Sequence, residues 1–194
     1  MLPDRETFRV SMRHLASGVC VITTATQDGR RWGLTATAIC SVTADPPMLL
    51  ACVNRATSTC AAILSAKRFA VNLLSADDRE ISNRFASPIA PEQRFAEGQW
   101  GTLATGAPVL GSALAVFDCE LEHVLEVSTH KILVGGIRAL RPREPGIKPL
   151  LYAHGAYATT DGLDVAKGMA LASLAKQLSE DPNFLEDCMH WGPF

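Results

Sequence analysis

The chain carries almost no net charge: 18 Lys and Arg against 20 Asp and Glu leave −2 over 194 residues. That gives no general electrostatic reason to bind nucleic acid or an anionic membrane. No run approaches the roughly 20 apolar residues of a transmembrane helix. The opening stretch MLPDRETFRVSMRHL contains acidic residues and no apolar centre, so export is not expected. Metal and thiol chemistry are poorly provided for as well. The six cysteines, Cys20, Cys40, Cys52, Cys60, Cys119 and Cys188, include no CxxC pair, and five lie in apolar runs where a thiol behaves as a small hydrophobe. They are expected to be reduced and the compartment to be the cytoplasm. There is no GxSxG elbow and no Walker loop, and the histidines form no metal-spaced pair or triad.

What remains is an ordinary globular composition, 47% apolar and 20% charged, long enough to bury a sizeable core. A first helix is expected from Asp4 to Ser17, with Phe8, Met12 and Leu15 on one face and Gly18 as its stop. Val19 to Ala25 reads as a strand, and Gln27-Asp28-Gly29 as a hairpin turn into another strand near Trp32. The segment WGLTATAICSVTADPPMLLACVNRATST, from Trp32 to Thr59, is the one the rest serves. It predicts a strand from Leu34 to Val42, a break at Asp45-Pro46-Pro47, a strand from Met48 to Val53, and a helix opened by Thr57-Ser58-Thr59. Hydroxyl residues at a helix start leave backbone N–H and side-chain O–H groups able to hold a phosphate. Small residues on the preceding strand let a flat ring approach the backbone. Together they describe a flavin-shaped site, although a Thr/Ala-rich strand on its own is more often an ordinary half-buried one.

Further along, Phe69 to Leu74 predicts a strand, and Ser75-Ala76-Asp77-Asp78 opens a helix through Phe85 in the manner of a capping box. Ser87 to Gly111 shows no sustained periodicity and is expected to be an irregular cover anchored by Phe95, Trp100 and Leu103. Phe117 to Glu126 alternates: Phe117, Cys119, Leu121, His123 and Leu125 on one face, Asp118, Glu120, Glu122, Val124 and Glu126 on the wet one. A return strand, Lys131 to Leu140, follows the tip Ser128-Thr129-His130. A helix from Leu163 to Leu178 is expected in the tail, broken at Asp181-Pro182-Asn183.

GLTATAICSV followed by DPPMLLACVNRATST resembles the flavin reductase domain of the FMN-binding split-barrel superfamily, and the similarity extends from about Phe8 to Tyr157. It implies a mainly β fold, a Greek-key split β-barrel with flanking helices over residues 1–160, with 161–194 as a helical tail. It also implies a homodimer with flavin between the subunits. The activity would be that of an NAD(P)H:flavin oxidoreductase using FMN or FAD, with NADH or NADPH as cosubstrate. Reduced flavin would go to a separate monooxygenase or halogenase component. Reduction of a bound substrate such as a corrinoid, and a non-catalytic flavin-binding module, are the alternatives.

Carried over residue by residue, the resemblance implies that Thr35, Ala36, Thr37 and Ala38 contact the ring. Cys52, Val53, Asn54, Arg55, Ser58 and Thr59 follow at the second strand and helix start. Arg84 and Phe85 approach phosphate and ring, and His154, Gly155 and Tyr157 belong to a closing HGxY-type segment reaching flavin or nicotinamide. The residues alone equally fit a surface arginine beside a core phenylalanine, and a solvated turn histidine. At the hairpin tip, family members often carry Gly-Asp-His, associated with the nicotinamide cofactor. Only His130 of that motif is kept here. No general acid or base is expected, since the cofactors carry the chemistry.

Overall fold

Asp4 caps the first helix, α1 (Arg5–Met12), its carboxylate accepting from the N–H groups of Glu6 and Thr7 at 2.9 Å each. The helix ends at Arg13 and does not reach Ser17. Its apolar positions find no core to grip, with Phe8, Met12 and Leu15 exposed at 60%, 46% and 59%. Gly18 is no helix stop. Ser17–Gly18 form a short strand, β1, paired with β11 (Leu151–Ala153), which turns into β12 (Ala156–Ala158). The computed structural model describes residues 2–144 and 146–160, so the expected tail helix lies outside the described residues.

The main sheet begins with the hairpin β2 (Cys20–Ala25) and β3 (Arg31–Ala36), whose turn places Gly29 at a φ of 80°. The single strand expected from Leu34 to Val42 is two strands. β3 stops at Ala36, Thr37 and Ala38 belong to neither, and β4 (Ile39–Ala44) pairs instead with β5 (Pro47–Asn54). With β6 (Arg68–Leu73), β9 (Ala115–Val127) and β10 (His130–Pro142), the antiparallel order is β3-β2-β6-β9-β10-β5-β4. Chain neighbours β3 and β4 therefore stand at opposite ends of the sheet. Laid flat, seven strands would hold those ends about 29 Å apart, six spacings of about 4.8 Å. Three peptide units reach only about 11 Å, so the sheet must curl until its edges almost meet, which makes a barrel left open along one seam.

Inside the curl lie Ile22, Val53, Ile63, Phe69, Val71 and Leu133, covered by α2 (Ser58–Ala66). A second core on the outer face joins Val19, Val21 and Ala70 to Phe85, Phe95 and Leu110. The capping box forms as expected: the Ser75 N–H and hydroxyl both donate to Asp78, at 2.9 and 2.6 Å. It opens a 3-10 turn (Ala76–Asp78) that runs into α3 (Arg79–Ala86). Residues 87–111 hold more structure than their lack of periodicity predicts, namely α4 (Pro91–Arg94) and the paired β7 (Trp100–Thr102) and β8 (Pro108–Leu110). Elements of three or four residues are too short to show a period. Phe95, Trp100 and Leu103 do anchor this stretch on the outer core.

Asp118, expected on a wet face, is fully buried. The segment before β8 folds over it, and its carboxylate accepts from the Thr105 N–H at 2.7 Å and from the Thr105 hydroxyl. Beyond Leu121 the alternation fails the other way. From Glu122 to Val127 every residue is exposed, because the β9–β10 hairpin projects past the core. Among the described residues, no helix is long and apolar enough to cross a membrane.

Candidate functional site

A cleft of about 460 Å³ lies between the end of β3, the end of β5 and the start of α2, within the roughly 300–1,000 Å³ typical of small-molecule sites. Thr35, Ala36, Thr37 and Ala38 line it from the β3 side, and Cys52, Val53 and Asn54 from the end of β5. The start of α2 contributes Thr57, Ser58 and Thr59, and Phe85, Arg94 and His130 complete the rim.

Local chemistry explains each wall. At Gly33 a Cβ would stand 2.5 Å from Phe85 Cε1, so only glycine lets Phe85 lie against β3. Phe85 is further fixed by Phe95, edge to face at 5.0 Å. The Thr35 hydroxyl donates to the Ser82 carbonyl at 2.7 Å, tying β3 to α3. The turn into α2 is built by two side chains. Asn54 Oδ1 accepts from the Ala56 N–H at 2.9 Å, while the Thr57 hydroxyl donates to the Asn54 carbonyl at 2.8 Å and accepts from the Cys60 N–H at 3.2 Å. Thr57 is thus the N-cap. Its hydroxyl serves the helix, while the exposed Ser58 and the backbone N–H groups of the first turn form an anion-binding terminus facing the cleft.

Arg94 brings the charge. Its guanidinium donates to the Gly33 carbonyl at 2.5 Å and the Ser87 carbonyl at 3.1 Å, and its Nε is buried with no partner. Leaving such a donor unmade costs about 1–3 kcal/mol. Trp32, next to Gly33, shares an adjoining hollow with Ser58.

Of the residues expected from the sequence, Thr35 to Ala38, Cys52 to Asn54, Ser58, Thr59, Phe85 and His130 come together here. Arg84 does not line the cleft. It ion-pairs with Glu97 on the outer side of α3 and donates to the Gln93 carbonyl at 3.1 Å. Arg55 is exposed at the β5–α2 turn, its N–H donating to the Thr129 carbonyl at 3.1 Å. His130 opens β10 opposite Asn54, with its Nδ1 2.9 Å from the Thr129 hydroxyl. His154 and Gly155, at φ of 53° and 81°, form the β11–β12 turn and line a different depression. Tyr157 stands behind the site, its hydroxyl 2.8 Å from that of Ser82. Thr57 belongs to the hydroxyl triplet read as the helix opening, and the structure spends its hydroxyl on the cap. Arg94 was missed, and nothing in the sequence sets it apart from the other Arg-Phe pairs at 68–69 and 84–85.

Among the described residues no group of three or more His, Cys, Asp or Glu could hold a metal ion. The lining fits instead an anion that carries a flat apolar part: hydroxyl and amide donors and a guanidinium, together with small side chains. Comparison with known proteins follows this reading. A protein named FMN reductase (NADH) RutF, from Ancylobacter novellus, is 44% identical over 130 residues, 67% of this chain and 71% of that one. A solved nitrilotriacetate monooxygenase component B homologue from Mycobacterium thermoresistibile is 29% identical with a TM-score of 0.77, over 83% of this chain and 89% of that one. BorF, the flavin reductase component of a bacterial two-component tryptophan halogenase, is 29% identical with a TM-score of 0.73, over 80% of this chain and 98% of that one. The fold is accordingly the split barrel of these reductases, as the resemblance implied. With residues 12–161 also matching the family model described as flavin reductase like domain, the chain belongs to that family.

Proposed function

We propose that the protein is an NADH-dependent flavin reductase that supplies reduced FMN or FAD to a separate monooxygenase or halogenase component. The observation that carries this is the lining of the cleft, which brings the α2 terminus and Arg94 together with the small residues Ala36 and Ala38 and with Phe85. The named activity of the 44% identical relative and the component role of BorF support it. Flavin would supply the redox chemistry, taking a hydride from C4 of the reduced nicotinamide. The chain's task is to hold and orient. Ser58, Thr59 and Arg94 secure the phosphate, while Thr35 to Ala38 and Phe85 support the ring. Cys52, Val53 and Asn54 close the far wall, and His130 offers a hydrogen bond at the rim.

The same reading includes a homodimer. Leu125 and Val127 on the projecting hairpin and Val42 on the edge strand β4 are exposed apolar residues. An unpaired strand edge and exposed apolar side chains are each what a second copy covers. It includes a cytoplasmic setting, supported by described cysteines that are all free thiols, and residues 161–194 as an addition to the reductase domain.

Anaerobic titration of the flavin-loaded protein with NADH tests the activity. Bleaching of the oxidised flavin, and steady NADH oxidation with free FMN as sole acceptor, are expected. Flavin that binds but is never reduced would make the protein a binding module.

A further inference from the structure

Thr35 lines the cleft with a hydroxyl whose hydrogen is already spent. Its neighbours on β3, Leu34 and Ala36, pack on the inner core. Successive side chains of a strand point to opposite faces, so Thr35 leaves β3 on the other face, where Phe85 lies against Gly33. There its Oγ1 donates to the Ser82 carbonyl at 2.7 Å. A carbonyl has no hydrogen to give, so the direction of this bond is fixed. For any further partner the Thr35 oxygen offers lone pairs alone.

The carbonyl that takes the hydrogen is itself held in place. Ser82 is fully buried, and its hydroxyl lies 2.8 Å from that of Tyr157. The Arg79 guanidinium in turn lies over the Tyr157 ring, 5.3 Å from its centroid. Tyr157, which does not line the cleft, thus helps to fix the group that aims the Thr35 hydroxyl.

We propose that Thr35 sets the orientation of the flavin ring, its oxygen accepting from the imide N3–H. The assignment rests on the reductase reading above, in which the ring lies against Thr35 to Ala38. Oxidised isoalloxazine presents N1, O2, O4 and N5 as acceptors, and N3–H is the single donor on the ring. An oxygen that can only accept repels the acceptors and pairs with the donor. The pyrimidine edge therefore turns toward Thr35 and α3, and the dimethylbenzene edge turns away.

Methylation at N3 removes that donor and leaves the ribityl phosphate untouched, so FMN and 3-methyl-FMN are the probe pair. Fluorescence titration of the wild-type protein should give 3-methyl-FMN a Kd about fivefold or more above that of FMN, the scale of one neutral hydrogen bond. Thr35→Val keeps the shape of threonine without its oxygen. It should weaken FMN and collapse the difference between the two flavins, because a steric objection to the methyl group would survive this change and a lost hydrogen bond would not. Thr35→Ser, which retains the hydroxyl, should retain the preference for FMN. Equal Kd values in wild type would overturn the assignment, and would be the result if Thr35 met a ribityl hydroxyl instead. A preference undiminished in Thr35→Val would overturn it as well, and the wild-type comparison decides even if that variant does not fold. A wild-type protein that binds neither flavin would refute the reductase reading itself. One that prefers FMN yet never oxidises NADH would refute the activity and leave the ring orientation standing.

Discussion

Arg94 joins two roles that substitution can separate. Two of its nitrogens hold the carbonyls of Gly33 and Ser87, the third is buried without a partner, and the residue lines the cleft. Arg94→Gln should weaken FMN by at least about tenfold, since hydrogen bonds to charged groups are worth about 1.5–3 kcal/mol. Riboflavin, which lacks the phosphate, should bind nearly as before. Fluorescence titration of both flavins measures this, and equal losses for the two would move Arg94 to the ring end. Arg94→Lys keeps the charge but loses the planar fork, so it should fall between. The sequence shows Arg-Phe three times, at 68–69, 84–85 and 94–95, and gives no reason to prefer the last. The choice is tertiary, because Glu97 neutralises Arg84 outside while the end of α4 tucks Arg94 under β3. Likewise Thr57-Ser58-Thr59 announces a helix start legibly, but which hydroxyl the helix consumes depends on where the Asn54 turn leaves the chain.

Among the elements, β3 is the one on which the site turns. Its packing against α3 depends on Gly33, and a Cβ there meets Phe85 Cε1 at 2.5 Å and Cδ1 at 2.9 Å. Gly33→Ala should cost about 1–3 kcal/mol by overpacking and weaken flavin binding by displacing Phe85. Gly18→Ala, where an added Cβ finds nothing within 4 Å, should stay within about 0.5 kcal/mol. Urea denaturation of both compares them directly, and equal midpoints would show that Phe85 yields without cost. The strands themselves were largely readable from alternation and turn residues. The end of β3 was not, because Thr37 and Ala38 suit a strand as well as their neighbours do. Sheet closure interrupts them, and closure is set by strands up to a hundred residues away. The excess length expected of α1 has a similar cause, since periodicity promised a partner face that the described residues do not supply.

Over the whole molecule, burial sorts the thiols. It pushes the Cys20 and Cys119 thiols up to about 12, whereas Cys40 is exposed. Alkylation at pH 8 should therefore mark Cys40 promptly and leave Cys20 and Cys119 untouched until denaturant is added, as peptide mapping would show. Prompt labelling of Cys20 would mean that β2 opens in the native state. The folded chain keeps protons that the unfolded chain releases near the ordinary value of 9.0. The contribution of these thiols to stability is thus complete below pH 9 and is lost as pH rises toward about 12. The exposed apolar hairpin makes a separate prediction: a Leu125→Asp, Val127→Asp double variant should elute from size exclusion as a monomer, and an unchanged dimer would place the interface elsewhere.

Thr37 and Ala38 are a shared wall, and a shared wall couples whatever lies on its two sides. If a ligand in the cleft shifts these two residues, affinity in the neighbouring depression changes with it. Reciprocity then holds by thermodynamic necessity: a tenfold gain for one ligand from the other, about 1.4 kcal/mol, obliges the same tenfold gain in return. Two residues without a strand of their own would thereby tie two hollows into one linked equilibrium.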